Sequence, residues 1–168
     1  SLDSLSQMKA LNSSNTDRIS KGDLVYFIPQ TNDLSFLGLS SWRDAQIEYA
    51  QGMKIKYVHP DTMLLPTVLG TQRECTEINC ASLFSSFNNV SHAVMGRVIR
   101  SDKEYLVELQ VLRARDQSIV KVFRKKVAKN KTLAVDALDQ LGTDLHLWVK
   151  RVLSPQIIPP EGLKKIQE

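Results

Sequence analysis

The sequence has few of the residues that mark specialised protein classes. Two of its 168 residues are cysteine, seven are glycine and six are proline, which excludes a disulfide-dense small domain and a collagen-like repeat. No apolar run reaches the roughly 18 residues that a membrane-spanning helix needs. The hydrophobic fraction of 42% and the charged fraction of 24% exclude a disordered chain and fit one globular domain.

Motifs of enzymes are also missing. The phosphate-binding patterns G-x-x-x-x-G-K-[ST] and G-x-G-x-x-G and the nucleophile pattern G-x-S-x-G do not occur. His92 alternates with apolar neighbours and fits a strand, and His146 is expected to be half-exposed beside a helix stripe. His59 and Asp61 read as a strand end and a helix cap. We therefore expect no enzyme, no metal site and no cofactor.

Positive charge is the one local bias in composition. The chain has a net charge of +4. Residues 97–131 hold 11 basic and 4 acidic residues, a net of +7, whereas residues 1–96 and 132–168 have net charges of −2 and −1. The basic character therefore belongs to one segment of the chain.

The first half of the chain predicts short strands and helices. An apolar run at 24–28 is typical of a buried central strand. Ser40 or Ser41 is expected to cap a helix over 42–51, with Asp44 completing a capping box. A second strand is expected at 55–58 and a short helix, capped by Asp61, at 62–69. Thr76 is expected to cap a helix whose apolar stripe comprises Cys80, Leu83, Phe84 and Phe87.

The second half predicts three strands and one long helix. Residues 90–100, 104–115 and 118–127 are strand-like, and their links are short enough for hairpins. Thr132 is expected to cap the final helix. Its apolar stripe comprises Ala134, Ala137, Leu138, Leu141, Leu145, Trp148, Val149 and Val152.

This order predicts an α/β fold, a two-layer mixed β-sheet with an antiparallel three-strand meander and helices packed mainly on one face. The expected organisation is a tail or short helix at 1–20, a single domain at 21–153 and a Pro-rich linker and tail at 154–168. Because the chain begins at Ser1, we expect a removed leader or a fragment of a longer protein.

The meander carries a candidate basic surface. Its candidate residues are Arg113, Arg115, Lys121, Arg124, Lys125 and Lys126. One interpretation is a patch that follows phosphates, as in nucleic-acid binding. The other is a solvated strand face whose lysines protect a sheet edge from pairing. Aromatic residues for base stacking are scarce beside it, since only Phe123 is near, so nucleic acid is the less favoured partner.

The two cysteines lie five residues apart. Cys75 and Cys80 fit a local disulfide in an oxidising compartment, or two unrelated thiols of which one is buried. Their spacing is not that of a C-x-x-C metal site, and no second pair of ligands follows.

One segment resembles a known family. Residues 74–81, with Glu74, Cys75 and Cys80-Ala81, precede a helix, the strand Ala93-Val94-Met95-Gly96-Arg97-Val98 and a strand containing Val107-Glu108-Leu109-Gln110-Val111-Leu112. This pattern resembles the bacterial envelope domains related to the TolB amino-terminal domain, the curli secretion protein CsgG, the synthase activator LpoB and the flagellar protein FlgT. The upstream segment departs from it, because Pro29 is not followed by the usual phenylalanine.

The resemblance implies a non-enzymatic domain that is periplasmic or associated with the outer membrane. It further implies that Cys75 and Cys80 are bonded, and that no catalytic residues carry over. The expected function is protein–protein interaction or scaffolding in an envelope assembly, with other envelope proteins as partners and self-association as a further mode. The alternative is a nucleic-acid or phosphate-binding module that uses the basic strands.

Overall fold

The structure, a computed structural model, describes residues 23–153. The predicted tail at 1–20 and the linker and tail at 154–168 lie outside the described residues. The boundaries of the predicted domain at 21–153 therefore stay a prediction.

A six-stranded mixed sheet forms the centre of the molecule. Its strands are β1 (Leu24–Tyr26), β2 (Gln30–Thr31), β3 (Tyr57–Val58), β4 (His92–Arg100), β5 (Glu104–Arg113) and β6 (Ser118–Ala128). The order is β3-β1-β4-β5-β6, with β2 also pairing with β4. The pairs among β1 to β4 are parallel, whereas β4, β5 and β6 run antiparallel. The predicted meander is thus confirmed.

Within the described residues, three α-helices connect and cover the strands. They are α1 (Leu39–Gly52), α2 (Ile78–Phe87) and α3 (Lys131–Trp148). A π-helical turn, Val149–Leu153, continues α3. Within residues 23–153, none of the helices is long and apolar enough to cross a membrane.

Two apolar clusters bury the two faces of the sheet. Leu24 and Tyr26 of β1 lie in the cluster that contains residues of α1 and α3. Val25 and Phe27 lie in the opposite cluster, together with Ala81 and Phe84 of α2. Because both faces of β1 are covered, its sequence is a continuous apolar run. The mixed α/β fold with helices mainly on one face is confirmed, and α2 adds cover on the other face.

The caps of the helices differ from those predicted. Helix α1 begins after Gly38, whose φ of 88° is left-handed, and has no side-chain cap. The predicted cap at Ser40 or Ser41 is wrong because the helix begins at Leu39 and both serines lie in its first turn; the Asp44 carboxylate accepts from Arg43. Helix α3 is capped by Asn130, whose side chain accepts from the Leu133 backbone N–H, and not by Thr132.

The short helix predicted at 62–69 is also wrong. Residues Pro60–Thr62 and Thr67–Leu69 each form one 3₁₀ turn. Pro66 has an extended backbone (ψ 138°) between them, and a proline also lacks the N–H that a continuous helix would use there. His59 caps the first turn, accepting from the Asp61 backbone N–H, so the cap is the histidine and not Asp61.

Two apolar stripes are less complete than predicted. On α2 the buried face includes Ser82, Ser85 and Ser86 besides Phe84, whereas Phe87 is 39% exposed. Helix α2 begins after Glu77 rather than at a Thr76 cap. At the end of α3 the predicted stripe continues through buried Val149, but Val152 is largely exposed.

Candidate interaction surface

Strand β6 forms one edge of the sheet and carries four of the six predicted basic residues. It is 11 residues long, and within residues 23–153 no strand pairs with its outer side. At about 3.3 Å per residue, this edge extends for about 35 Å. The opposite edge, β3, has only two residues. The long edge is therefore the one with room for another strand.

Two lysines of β6 lie on the face covered by α3. Lys121 and Lys125 pair in register with Val111 and Val107, whose side chains are in the cluster below α3. The Lys121 ammonium lies 5.5 Å from the centre of the Phe123 ring. The Lys125 ammonium donates to the Gln140 side chain of α3 at 2.6 Å. The Lys125 contact thus links β6 to α3.

The opposite face of the meander carries a buried carboxylate. Glu108 of β5 has a fully buried side chain, and its neighbours in register are Arg97 of β4 and Arg124 of β6. The Arg124 guanidinium donates at 2.6 Å, Arg97 donates at 3.1 Å and the Gln110 amide donates at 2.8 Å. Burial raises the pKa of Glu108, but the hydrogen bonds from Arg124 and Arg97 outweigh it, so the net shift is downward.

This carboxylate was not singled out by sequence reasoning. The alternation of Glu108 and Gln110 with leucines and valines indicates only a polar strand face. That Glu108 is enclosed depends on the strand register, which places an arginine on each side of it. The only indication in the sequence that Glu108 has cationic partners is the presence of basic residues on both neighbouring strands.

The two remaining basic residues lie at the far end of the meander. Arg113 ends β5 and forms an ion pair of 2.6 Å with Asp116, while Arg115 is exposed in the following turn. The six predicted residues are therefore distributed over two sheet faces and one end. Arg113 and Arg124 are each paired with a carboxylate, which reduces the charge available to a phosphate backbone.

A cavity of about 370 Å³ lies between the start of α2 and strands β4 and β5. Met95, Gly96, Arg97, Glu108 and Gln110 form its sheet side, and the remaining lining residues are Gln30, Thr76, Glu77, Ile78 and Asn79. A methyl group on Gly96 would come within 2.9 Å of the Leu109 side chain and 3.3 Å of Pro29. Glycine therefore allows the close packing beneath this cavity.

The two adjacent residues Glu74 and Cys75, which precede α2, are held by hydrogen bonds and by a disulfide, respectively. Cys75 and Cys80 form a disulfide with their Cα atoms 5.4 Å apart, within the range that disulfides require. One oxygen of the Glu74 carboxylate accepts from the Ile28 backbone N–H at 2.7 Å. Arg43 donates to both Glu74 oxygens and to the Tyr26 carbonyl. Sequence reasoning did not identify Arg43 and Glu74 as partners.

The three histidines take part in structural contacts. His146 is fully buried, so the predicted half-exposure is wrong: its Nδ1 lies 2.7 Å from the Gly142 carbonyl and its Nε2 lies 2.9 Å from the Tyr26 hydroxyl. His92 lies in strand β4 as expected, and it is buried. His59 lies 3.3 Å from Asp44. Among residues 23–153 no group of histidine, cysteine and carboxylate side chains is arranged to hold a metal ion.

Comparison with known proteins identifies the fold. No protein-family model and no curated protein matches the sequence. The chain is similar to the LpoB C-terminal domains from Salmonella enterica (TM-score 0.51, 12% identity, 71% of this chain and 94% of that one) and Escherichia coli (TM-score 0.51, 11% identity, 73% and 96%). It is also similar to the hypothetical protein CT253 from Chlamydia trachomatis (TM-score 0.50, 7% identity, 76% and 97%). The LpoB part of the resemblance is thereby supported as a shared fold, whereas likeness to TolB, CsgG or FlgT is not shown.

Proposed function

We propose that this chain is a non-enzymatic protein-interaction domain of a bacterial cell-envelope assembly, and that it binds its partner along β6. The observation that carries the proposal is the 11-residue outer strand, which no strand covers within residues 23–153. Such an edge presents backbone N–H and C=O groups that an added strand can satisfy. A partner strand would extend the existing antiparallel meander.

Charge on and beside the edge indicates the kind of partner segment. Lys121 and Lys125 border the edge on one face, and Arg124 and Lys126 border it on the other. Lysines on an edge discourage pairing between identical basic edges, so an extended segment rich in Asp and Glu is the better match. Val122, 40% exposed between these cations, supplies an apolar contact.

The assignment to the envelope rests on two further observations. The fold is that of the LpoB C-terminal domain, and the sequence pattern over 74–127 resembles envelope domains of that kind. The Cys75–Cys80 disulfide fits an oxidising compartment such as the periplasm. Together they favour a periplasmic or outer-membrane-associated location, with other envelope proteins as partners.

Photo-crosslinking in cells tests this function. A photoreactive phenylalanine is placed at Val122 on β6 and, as the matched control, at exposed Glu48 on α1. We expect a discrete adduct with one protein from position 122 and none from position 48, because only the β6 edge meets the partner. The charge reversal Lys125→Glu should weaken the adduct.

The products also separate the alternatives. An adduct of two identical chains identifies self-association as the binding mode. Adducts that are the same at positions 122 and 48, or none at position 122, contradict the proposal. Retention of oligonucleotides at low salt, lost on Lys125→Glu, would instead favour the nucleic-acid function.

A further inference from the structure

The loop between β2 and α1 exposes two leucines. Leu34 is 94% exposed and Leu37 is 83% exposed, the two highest values among the exposed large apolar residues of the described chain. The loop already contributes one core residue, Phe36, which lies between the two leucines in the chain. Phe36 is buried and packs edge-on against Tyr105, with ring centres 5.8 Å apart. The leucines are therefore additional to what folding of this loop requires.

Hydrogen bonds of Asp33 and Asn32 fix the backbone of this loop. The buried Asp33 carboxylate accepts from the Tyr105 hydroxyl at 2.6 Å, from the Ser35 hydroxyl at 2.6 Å and from the Ser35 backbone N–H at 3.0 Å. Asn32 exchanges two hydrogen bonds with the backbone of Arg100. Since these contacts fix the backbone, the exposed leucines would lose little conformational entropy on insertion into an apolar phase.

Several cations lie at the same end of the sheet as the two leucines. The Lys131 ammonium donates to the Ser35 carbonyl, next to Leu34, at 3.1 Å. The Arg100 guanidinium lies 3.7 Å from the Asp33 carboxylate. A hydrogen bond from the Lys129 backbone N–H to the Lys103 carbonyl brings two further exposed lysines to the same end of the sheet.

The acidic groups at this end are fewer and mostly paired. Asp33 is buried beneath the loop, and Glu104 lies 3.9 Å from the Lys126 ammonium. Asp102 is exposed in the turn between β4 and β5. Lys103, Lys129 and Lys131 therefore outnumber the exposed carboxylates of Asp102 and Glu104.

From this arrangement we propose that residues 32–38, the leucine tip, dock on an anionic phospholipid bilayer. Leu34 and Leu37 enter the boundary between headgroups and acyl chains, and Lys131 with its neighbouring lysines contacts lipid phosphates. Apolar side chains flanked by lysines are the pattern of interfacial membrane contacts. A bilayer accepts protruding side chains without a complementary groove, whereas a protein partner would need one. This contact is separate from the partner strand proposed for β6.

Two leucines give a weak and reversible contact, so the test must measure partition directly. The full chain is incubated with vesicles of phosphatidylglycerol and phosphatidylcholine in equal parts, or of phosphatidylcholine alone, and the bound fraction is measured by sedimentation. We expect binding to the anionic vesicles that falls with added salt, and much weaker binding to the neutral ones. The double variant Leu34→Ser with Leu37→Ser should reduce partition by about tenfold or more.

Leu64→Ser is the matched control. Leu64 is also largely exposed (72%), but it lies outside the leucine tip, between the 3₁₀ turns Pro60–Thr62 and Thr67–Leu69. This control variant should leave partition unchanged. Absence of binding by the unmodified chain, or equal binding by the double variant, overturns the proposal. Loss of self-association by the double variant without any vesicle binding also overturns it and identifies a second copy as the occupant of the leucine tip.

Insertion is measured separately from adsorption. The fluorescence that Leu34→Trp adds to that of the chain's own Trp42 and Trp148 should be quenched by vesicles that contain brominated acyl chains, whereas the fluorescence that Leu64→Trp adds should not. Equal quenching at both positions would contradict insertion through the leucine tip. None of these outcomes depends on the β6 contact, so the two proposals fail independently.

Discussion

Two serines on the buried face of α2 have different surroundings. The Ser82 hydroxyl donates to the Ala114 carbonyl at 2.6 Å. The Ser85 hydroxyl is the one buried side-chain polar atom without a hydrogen-bond partner among the described residues. A buried hydroxyl without a partner loses its hydration and gains nothing in return.

Substitution of each serine by alanine should therefore change the free energy of unfolding differently. Ser82→Ala should lower the free energy of unfolding by about 1–2 kcal/mol, because it removes a buried hydrogen bond. Ser85→Ala should leave that free energy unchanged or raise it by about 1 kcal/mol. Urea midpoints of the two variants measure the difference, and equal losses would contradict the assignment of their surroundings.

The buried histidines make stability depend on pH. Burial, together with the charges of Arg113 and Arg115, lowers the pKa of His92 from 6.5 to about 4. Burial also lowers the pKa of His146. The unfolded chain then binds protons at a higher pH than the folded chain, so folding stability is full above about pH 6.5 and falls as the pH drops toward 4.

For His92 the expected loss between pH 6.5 and about 4 is about 3 kcal/mol. Unfolding free energies measured across this interval should show the slope, and His92→Gln should reduce it. His146 should account for part of the slope that remains. A free energy of unfolding that is constant over the interval would mean that neither histidine is buried in its neutral form.

At the level of elements, the segment before α2 is fixed both covalently and by hydrogen bonds. The double variant Cys75→Ala with Cys80→Ala should lower the free energy of unfolding by about 2 kcal/mol, the value expected for a closed loop of this length. Glu74 and Arg43 should still hold the segment against β1, so the helical content should persist. Thermal unfolding with circular dichroism checks both points.

Reduction of the unmodified protein is the control for that experiment. It should produce the same loss of stability as the double variant. If reduction has no effect while the variant is destabilised, the loss comes from the packing of the Cys75 side chain, which is 1% exposed, and not from the disulfide.

Sequence periodicity predicted the elements of the second half better than those of the first. Strands β4 to β6 are long and regular, and α3 repeats its apolar residues over several turns, so each pattern is repeated often enough to be specific. In the first half, Gly38 and His59 end up at caps that local preferences had assigned to Ser41 and Asp61. These caps are a glycine with a left-handed backbone and a histidine that accepts from the residue two positions on, and neither belongs to the usual serine, threonine and aspartate caps.

Contacts between residues far apart in the chain could not be predicted from the sequence. The burial of Glu108 requires the register of three strands, and the burial of His146 requires Tyr26, 120 residues away. The basic residues were recognised, but periodicity could not tell which of them meet a carboxylate. The six basic residues could be named from the sequence and their role as a binding surface stays a prediction, while their distribution over two sheet faces and one end required the structure.

For the whole molecule, binding of a partner along β6 can be measured by amide hydrogen exchange of the chain, alone and joined to the protein trapped at position 122. We expect slower exchange in β6 on binding and unchanged exchange in β3, because an added strand protects amides only at the long edge. Unchanged exchange in β6, with protection appearing elsewhere, would contradict it.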